Sequence, residues 1–184
     1  FIYDKGTITD IGSIYPYDIN NLGQVVGYYG TVMNGYSTVR SFIYSNGTWK
    51  DLGTISSSTD PKAQSWPNGI NDFSKVVGSA NTGYEGSNFH AYLYDGIIME
   101  NIDPEEQSEA MAINNYGMVI GIEKDGGIFL YSASEKKLNR LDIFGSALDI
   151  NDLGEFVGLG SWGAGSEGAF LYRKGELTLL GNLS

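Results

Sequence analysis

The chain has 184 residues, 22 acidic and 11 basic, for a net charge of −11, and it has no cysteine. That balance excludes the basic footprint needed to hold a nucleic-acid backbone and electrostatic docking on an anionic membrane. The lack of cysteine excludes disulfides and thiolate metal sites, and no apolar run approaches the roughly 18 residues that mark a membrane-spanning helix.

The first predicted element is a hairpin over Phe1–Gly12, FIYDKGTITDIG: an aromatic-apolar-Tyr strand, a polar turn and a second strand. The pattern starts without Met and in mid-repeat, so the chain is expected to be a processed or excised product. A different hairpin follows at Ile19–Gly27, INNLGQVVG, and returns as INDFSKVVG (Ile70–Gly78), INNYGMVIG (Ile113–Gly121) and INDLGEFVG (Ile150–Gly158). Asn and Asp bond their own backbone in turns, and Gly accepts positive φ without steric cost. Gly23, Gly117 and Gly154 are therefore expected at positive φ, with Ser74 sharing that conformation or marking a differently shaped turn. The strand after each turn carries Val25-Val26, Val76-Val77, Val119-Ile120 or Phe156-Val157, types that suit a half-buried pleated surface. Each copy ends in Gly27, Gly78, Gly121 or Gly158, where close backbone approach or a bend is expected. Ile19, Ile70, Ile113 and Ile150 are expected in equivalent buried positions.

The Tyr hairpin of the N-terminus recurs at Ser41–Gly53, Ala91–Asp103, Ile128–Asp142 and Ala169–Gly181, marked by Tyr3, Tyr44, Tyr94, Tyr131 and Tyr172. Apolar residues three apart in its second strand (Ile8 and Ile11, Trp49 and Leu52, Leu138 and Leu141) predict a bulge or a strand end there. One Ile-Asn hairpin plus one Tyr hairpin makes a four-stranded unit, with strands A, B, C and D. Four strands repeating every 40 or so residues predict a propeller. The expected fold is thus an all-β single domain over 1–184, a β-propeller of four-stranded antiparallel blades. Its complete units span 14–53, 54–103, 104–142 and 143–184, after an N-terminal half unit at 1–13. Five blade positions are favoured, with a four-bladed ring as the alternative. The half unit is expected beside the first full unit, its missing A–B strands leaving an edge open to a partner or to self-association.

The pattern Ile-Asn-x-x-Gly-x-Val-Val-Gly, then an aromatic-apolar-Tyr strand, then Asp-Leu-Gly resembles the HAF repeats of secreted bacterial proteins. The naming triplet stands here as Arg40-Ser41-Phe42, His90-Ala91-Tyr92, Gly127-Ile128-Phe129 and Gly168-Ala169-Phe170, so one copy keeps the His. The resemblance covers nearly the whole chain. It implies an extracellular, secreted or cell-surface repeat domain and no defined reaction.

In an up-down unit the A–B and C–D turns lie on one face and the B–C and D–A loops on the other. The A–B turns are nearly identical, so variation is placed on the second face. Tyr28, Tyr29 and Tyr36 are read in or beside the first B–C loop, Tyr84 and Phe89 in the second and Trp162 in the fourth; Trp66 is read in the first D–A loop. Aromatics among Gly, Ser and Asn make adaptable recognition surfaces, so Tyr36, Trp66, Tyr84, Phe89, His90 and Trp162 are the candidate ligand-binding residues. His90, the single histidine, is read as structural; as a general base it would need Asp95 or Glu85 to orient it. Asp103, Glu105, Glu106 and Glu109 are read as a solvated acidic loop. Asp18-x-Asn20 and Asp149-x-Asn151 open like a calcium loop, but Leu22 and Leu153 occupy the next ligand position, so the turn reading is preferred. No cofactor, metal or catalytic residue is expected. The leading function is a non-catalytic extracellular binding or scaffold module for a protein or carbohydrate ligand. A glycan-binding propeller and a polysaccharide hydrolase or lyase are the alternatives.

Overall fold

The computed structural model describes residues 1–55, 59–83, 88–161 and 167–181. Tyr84 and Trp162 lie outside the described residues. The Ile-Asn segment forms its turn through the asparagine side chain. Asn20 Oδ1 accepts from the N–H groups of Leu22 and Gln24, and Asn71, Asn114 and Asn151 repeat this two and four residues downstream. The carboxamide thus satisfies two donors that the tight turn leaves unpaired. The residue that closes the turn is left-handed in all four copies: φ is 72° at Gly23, 60° at Ser74, 78° at Gly117 and 75° at Gly154. Ser74 shares the glycine conformation.

These hairpins organise an all-β, antiparallel chain. The first four-stranded sheet runs β3 (Tyr15–Ile19), β4 (Val25–Met33), β5 (Tyr36–Ser45), β6 (Thr48–Asp51). The second runs β7 (Ser65–Ile70), β8 (Val76–Ala80), β9 (His90–Tyr94), β10 (Met99–Asn101). A seven-stranded sheet follows: β11 (Ser108–Ile113), β12 (Met118–Glu123), β13 (Gly127–Ser132), β14 (Lys137–Ile150), β15 (Phe156–Ser161), β16 (Glu167–Arg173), β17 (Glu176–Leu179). β14 serves both halves of it. Lys137–Arg140 pair with β13, and Gly145–Ile150 pair with β15. The outer strand of the third unit therefore runs straight into the inner strand of the fourth, where a D–A loop was expected. The N-terminal β1 (Ile2–Asp4) and β2 (Thr7–Thr9) form their own two-stranded sheet. Among the described residues the sheets do not close on themselves.

Every A strand carries a register shift at the same place: Pro16/Asp18, Pro67/Gly69, Ala110/Ala112 and Ala147/Asp149. The conserved spacing of the terminal glycine follows from it. Gly27, Gly78, Gly121 and Gly158 sit opposite the shift, and a Cβ there would overlap the carbonyl oxygen of Tyr15, Trp66, Glu109 or Ser146. The bulged strand crosses too closely for any side chain. In the outer strands, the spacing of three has both explanations: Ile11 and Leu52 lie just past the strand ends, both buried, whereas Leu141 lies within β14 where the pairing with β13 shifts register between Arg140 and Phe144.

The core lies between successive sheets. Val26, Ile43 and Leu52 of the first pack with Ile70, Val76, Tyr92 and Tyr94 of the second. Val77, Leu93 and Ile102 meet Ile113, Val119, Phe129 and Tyr131. Ala112, Ile120 and Ile128 meet Ile150, Phe156 and Phe170. Ile70, Ile113 and Ile150 are thus equivalent and buried, at 6%, 9% and 6% exposure. Ile19 corrects the expectation: it is 55% exposed, because no preceding A–B pair covers it. The β1–β2 hairpin lies beside the first sheet and shares a cavity with Pro16–Ile19 and Val25, yet it buries Ile11 and leaves Phe1, Tyr3 and Ile8 exposed. At the other end Val157 and Leu159, which no further sheet of the described residues covers, are exposed as well.

Candidate functional site

Opposite the asparagine turns, a groove of about 510 Å³ opens between the second and third sheets. Trp66, Phe89 and Ile122 form its apolar wall, and Glu109, Glu123, Lys124 and Gln107 bring polar groups to it. Trp66 stands on β7, an inner strand, and not in the D–A loop where the sequence placed it. Strand register explains how the residues meet. Tyr15, Trp66, Glu109 and Ser146 are the equivalent inner-strand residues of the four units, paired with Tyr28, Ser79, Ile122 and Leu159. The groove therefore joins one repeat position on the second sheet, Trp66, to the same position on the third, Glu109.

Trp66 is held from behind by the first sheet. Its ring meets Tyr28 edge-on at 4.5 Å between centroids, and Tyr28 is stacked on Tyr15 at 4.8 Å with the planes 11° apart. Such aromatic pairs add to plain burial and fix the indole. Tyr28 and Tyr29 also depart from expectation, standing within β4, whereas Tyr36 directly follows the B–C turn. β4 and β5 continue as one long hairpin that turns at Asn34-Gly35, both at positive φ, in place of a recognition loop. Tyr36 is exposed, lies away from the groove and carries the Lys62 ammonium 4.9 Å from its ring centroid.

Glu109 is fixed by Asn68, whose side-chain amide donates to Glu109 Oε1 at 2.8 Å and to the Ala110 carbonyl at 2.9 Å. Glu123 forms an ion pair with Arg140, which also pairs with Asp103 at 2.8 Å and Glu105 at 3.6 Å. Burial pushes the Glu123 carboxyl above its ordinary pKa, against the opposing pull of Arg140. The acidic run is thus split. Asp103 is buried at 1% exposure and paired, against the reading of a solvated loop, while Glu105 and Glu106 are exposed. The Asp103 backbone carbonyl also meets His90.

His90 is half-buried and aims Nδ1 at the carbonyls of Asp103 (2.9 Å) and Glu106 (2.7 Å). Carbonyls only accept, so Nδ1 carries the proton and the ring staples the segment after β10 to β9. Of the two orienters suggested by the sequence, Asp95 caps its own turn by accepting from the Ile97 and Ile98 N–H groups, and Glu85 lies outside the described residues. The structure thus brings Trp66 and Phe89 together and leaves Tyr36 apart. Glu123 and Lys124 escaped sequence reasoning, although both directly follow the Val-Ile-Gly-Ile stretch of β12. Tyr15 and Tyr17 escaped it too, because they lie on a strand. Among the described residues no group of three His, Asp or Glu side chains is placed to hold a metal ion, and no helix is long and apolar enough to cross a membrane.

No family model and no curated protein matches the chain. Solved structures do. The β-propeller domain of the Trilobed protease from Pyrococcus furiosus, described as having an open velcro topology, superposes with a TM-score of 0.62 at 11% identity, over 94% of this chain and 56% of that one. A puromycin-hydrolyzing peptidase of Mycobacterium tuberculosis superposes with a TM-score of 0.58 at 11% identity, over 96% of this chain and 30% of that one. At this identity the likeness is one of fold: the chain is β-propeller-like and spans about half, and less than a third, of those two chains.

Proposed function

We propose that the chain is a non-catalytic β-propeller binding module that meets a polypeptide ligand in the groove between its second and third sheets. The observation that carries this reading is the rigid Trp66 facing Glu109 across a groove of about 510 Å³, a size that suits a few side chains of a bound peptide. An indole face beside a carboxylate suits a basic side chain next to an apolar one. Glu109 and Glu123 share the groove, as a hydrolase would require, but Asn68 holds one and Arg140 the other. A lectin built on repeats would repeat its aromatic platform; the equivalent positions hold Tyr15, Trp66, Glu109 and Ser146. The HAF-repeat resemblance supports an extracellular setting for this role. Five blade positions fit the chain best, because β1–β2 repeats the β5–β6 hairpin in turn, in end cap and in its buried Ile11.

Panning a random peptide library over the immobilised chain tests the reading. Enriched peptides should combine basic and aromatic residues, and Trp66→Ala or Glu109→Gln should cut their binding at least tenfold. Peptides that bind the two variants as well as the parent would overturn it, and a glycan array hit lost in Trp66→Ala would put carbohydrate in place of peptide.

A further inference from the structure

Three features converge on the open side of β1. The hairpin Phe1–Gly12 is built as a C–D pair. Gly12 N–H donates to Asp10 Oδ1 at 2.8 Å as Gly53 N–H does to Asp51 Oδ1 at 2.6 Å, and Lys5-Gly6 repeats the positive φ of Asn46-Gly47. Every other C strand is paired on both edges, whereas among the described residues β1 pairs with β2 alone.

The space beside that free edge has the shape of a missing strand pair. Between the first and second sheets Ile43, Leu52, Ile70 and Val76 surround Val26, which is fully buried. The corresponding residues Ile2, Ile11, Ile19 and Val25 line a cavity of about 350 Å³, with none of the described residues in the place of Val26. The turn face shows the same gap. Asn20 donates its side-chain amide to the Asn71 carbonyl, Asn71 to Asn114 and Asn114 to Asn151, at 2.9–3.0 Å. A second ladder runs beside it, from Asn21 N–H to Asp72 Oδ1, Asp72 N–H to Asn115 Oδ1 and Asn115 N–H to Asp152 Oδ1, each at 2.9 Å. Both ladders begin at Asn20 and Asn21, whose carbonyl and Oδ1 receive no donor from a preceding unit among the described residues.

From this geometry we infer that the free edge of β1 is a docking site for a β-hairpin of the Ile-Asn-x-x-Gly-x-Val-Val-Gly type from outside residues 1–184, and this rests on reading β1–β2 as a blade position. The incoming hairpin adds its Val strand to β1 by main-chain pairing and seats the second residue of its valine pair, the Val26 type, against Ile19 and Val25. Its asparagine donates to the Asn20 carbonyl, continuing the ladder by the interface already used three times within the chain. A second copy of this chain is not the occupant, because each of its own Ile-Asn hairpins is engaged in a sheet.

The test adds a fluorescent synthetic peptide spanning Ser108–Ile122, an Ile-Asn hairpin of this chain, to the intact protein. We expect 1:1 binding, hydrogen-exchange protection at Ile2–Asp4 and Ile19, and at least a tenfold weaker Kd for the peptide carrying Asn114→Ala and for the protein carrying Ile19→Asp. No binding at 100-fold molar excess, or protection confined to β17, overturns the inference. A concentration-dependent dimer that protects the same amides in the absence of peptide also counts against it. A protein lacking Phe1–Gly12 separates the two readings. If it melts as the parent does, the blade-position reading fails; if it is destabilised while the intact protein ignores the peptide, only the docking inference fails.

Discussion

Asn71 and Asn114, 43 residues apart, are joined by a hydrogen bond of 3.0 Å from the side-chain amide of one to the main-chain carbonyl of the other. Both are buried at 4% exposure, and each also uses its Oδ1 to close its own turn. One residue type thus builds the turn and fastens adjacent sheets. Asn114→Ala removes three part-buried hydrogen bonds from a buried position. It should cost about 2–4 kcal/mol in urea denaturation. Asn151→Ala, at the exposed end of the ladder, should cost about 1 kcal/mol.

The glycine that ends each copy is required by sterics, and the turn glycine by φ. Gly121→Ala would drive a Cβ into Phe129 and the Glu109 carbonyl, and should destabilise by more than about 3 kcal/mol or abolish folding. Gly154→Ala has φ 75° but open space around it, and should cost about 1 kcal/mol. Thermal melts of the two variants distinguish the causes.

Much of this was legible in the sequence. The Asn-x-x-Gly spacing gave the turn and its left-handed residue, and the paired valines gave the buried strand. Trp66 and Asp103 depart from the sequence reading for two physical reasons. The bulge at Pro67/Gly69 breaks the alternation of β7, so local pattern does not show that the strand begins before Trp66. The Arg140 pairing spans 37 residues to Asp103, a contact that exists only once two sheets are packed. Ile19 was misjudged because its repeat position is equivalent to Ile70, whereas its neighbour in space is not.

That asymmetry is measurable. Ile70→Ala, in the packed interface, should cost about 2–4 kcal/mol. Ile19→Ala, at 55% exposure, should cost less than about 1 kcal/mol. Equal losses would show that Ile19 is covered in solution.

Acid should act through Asp72. Its carboxylate accepts from the Asn21 side-chain amide (2.8 Å), the Asn21 N–H (2.9 Å) and the Asn115 amide (3.2 Å). The hydrogen bonds from Asn21, its side chain first, hold the carboxyl below its ordinary pKa. A depressed carboxyl binds fewer protons in the folded state. Its contribution is therefore fully present above the ordinary Asp value of about 3.9 and lost as pH falls through the lower folded value. Melting temperature followed from pH 6 to pH 2 should fall less steeply at the acid end in Asp72→Asn than in the parent.

The face that meets the ligand is the decisive point. Amide chemical-shift mapping of a peptide selected by panning decides it on the intact chain. We predict perturbations centred on Trp66, Phe89, Glu109, Ile122 and Lys124, with the asparagine turns at Asn20, Asn71 and Asn114 unmoved. Perturbations centred on those turns, around the polar cavity of about 200 Å³ that Asp18, Asn71 and Asn114 line, would contradict it.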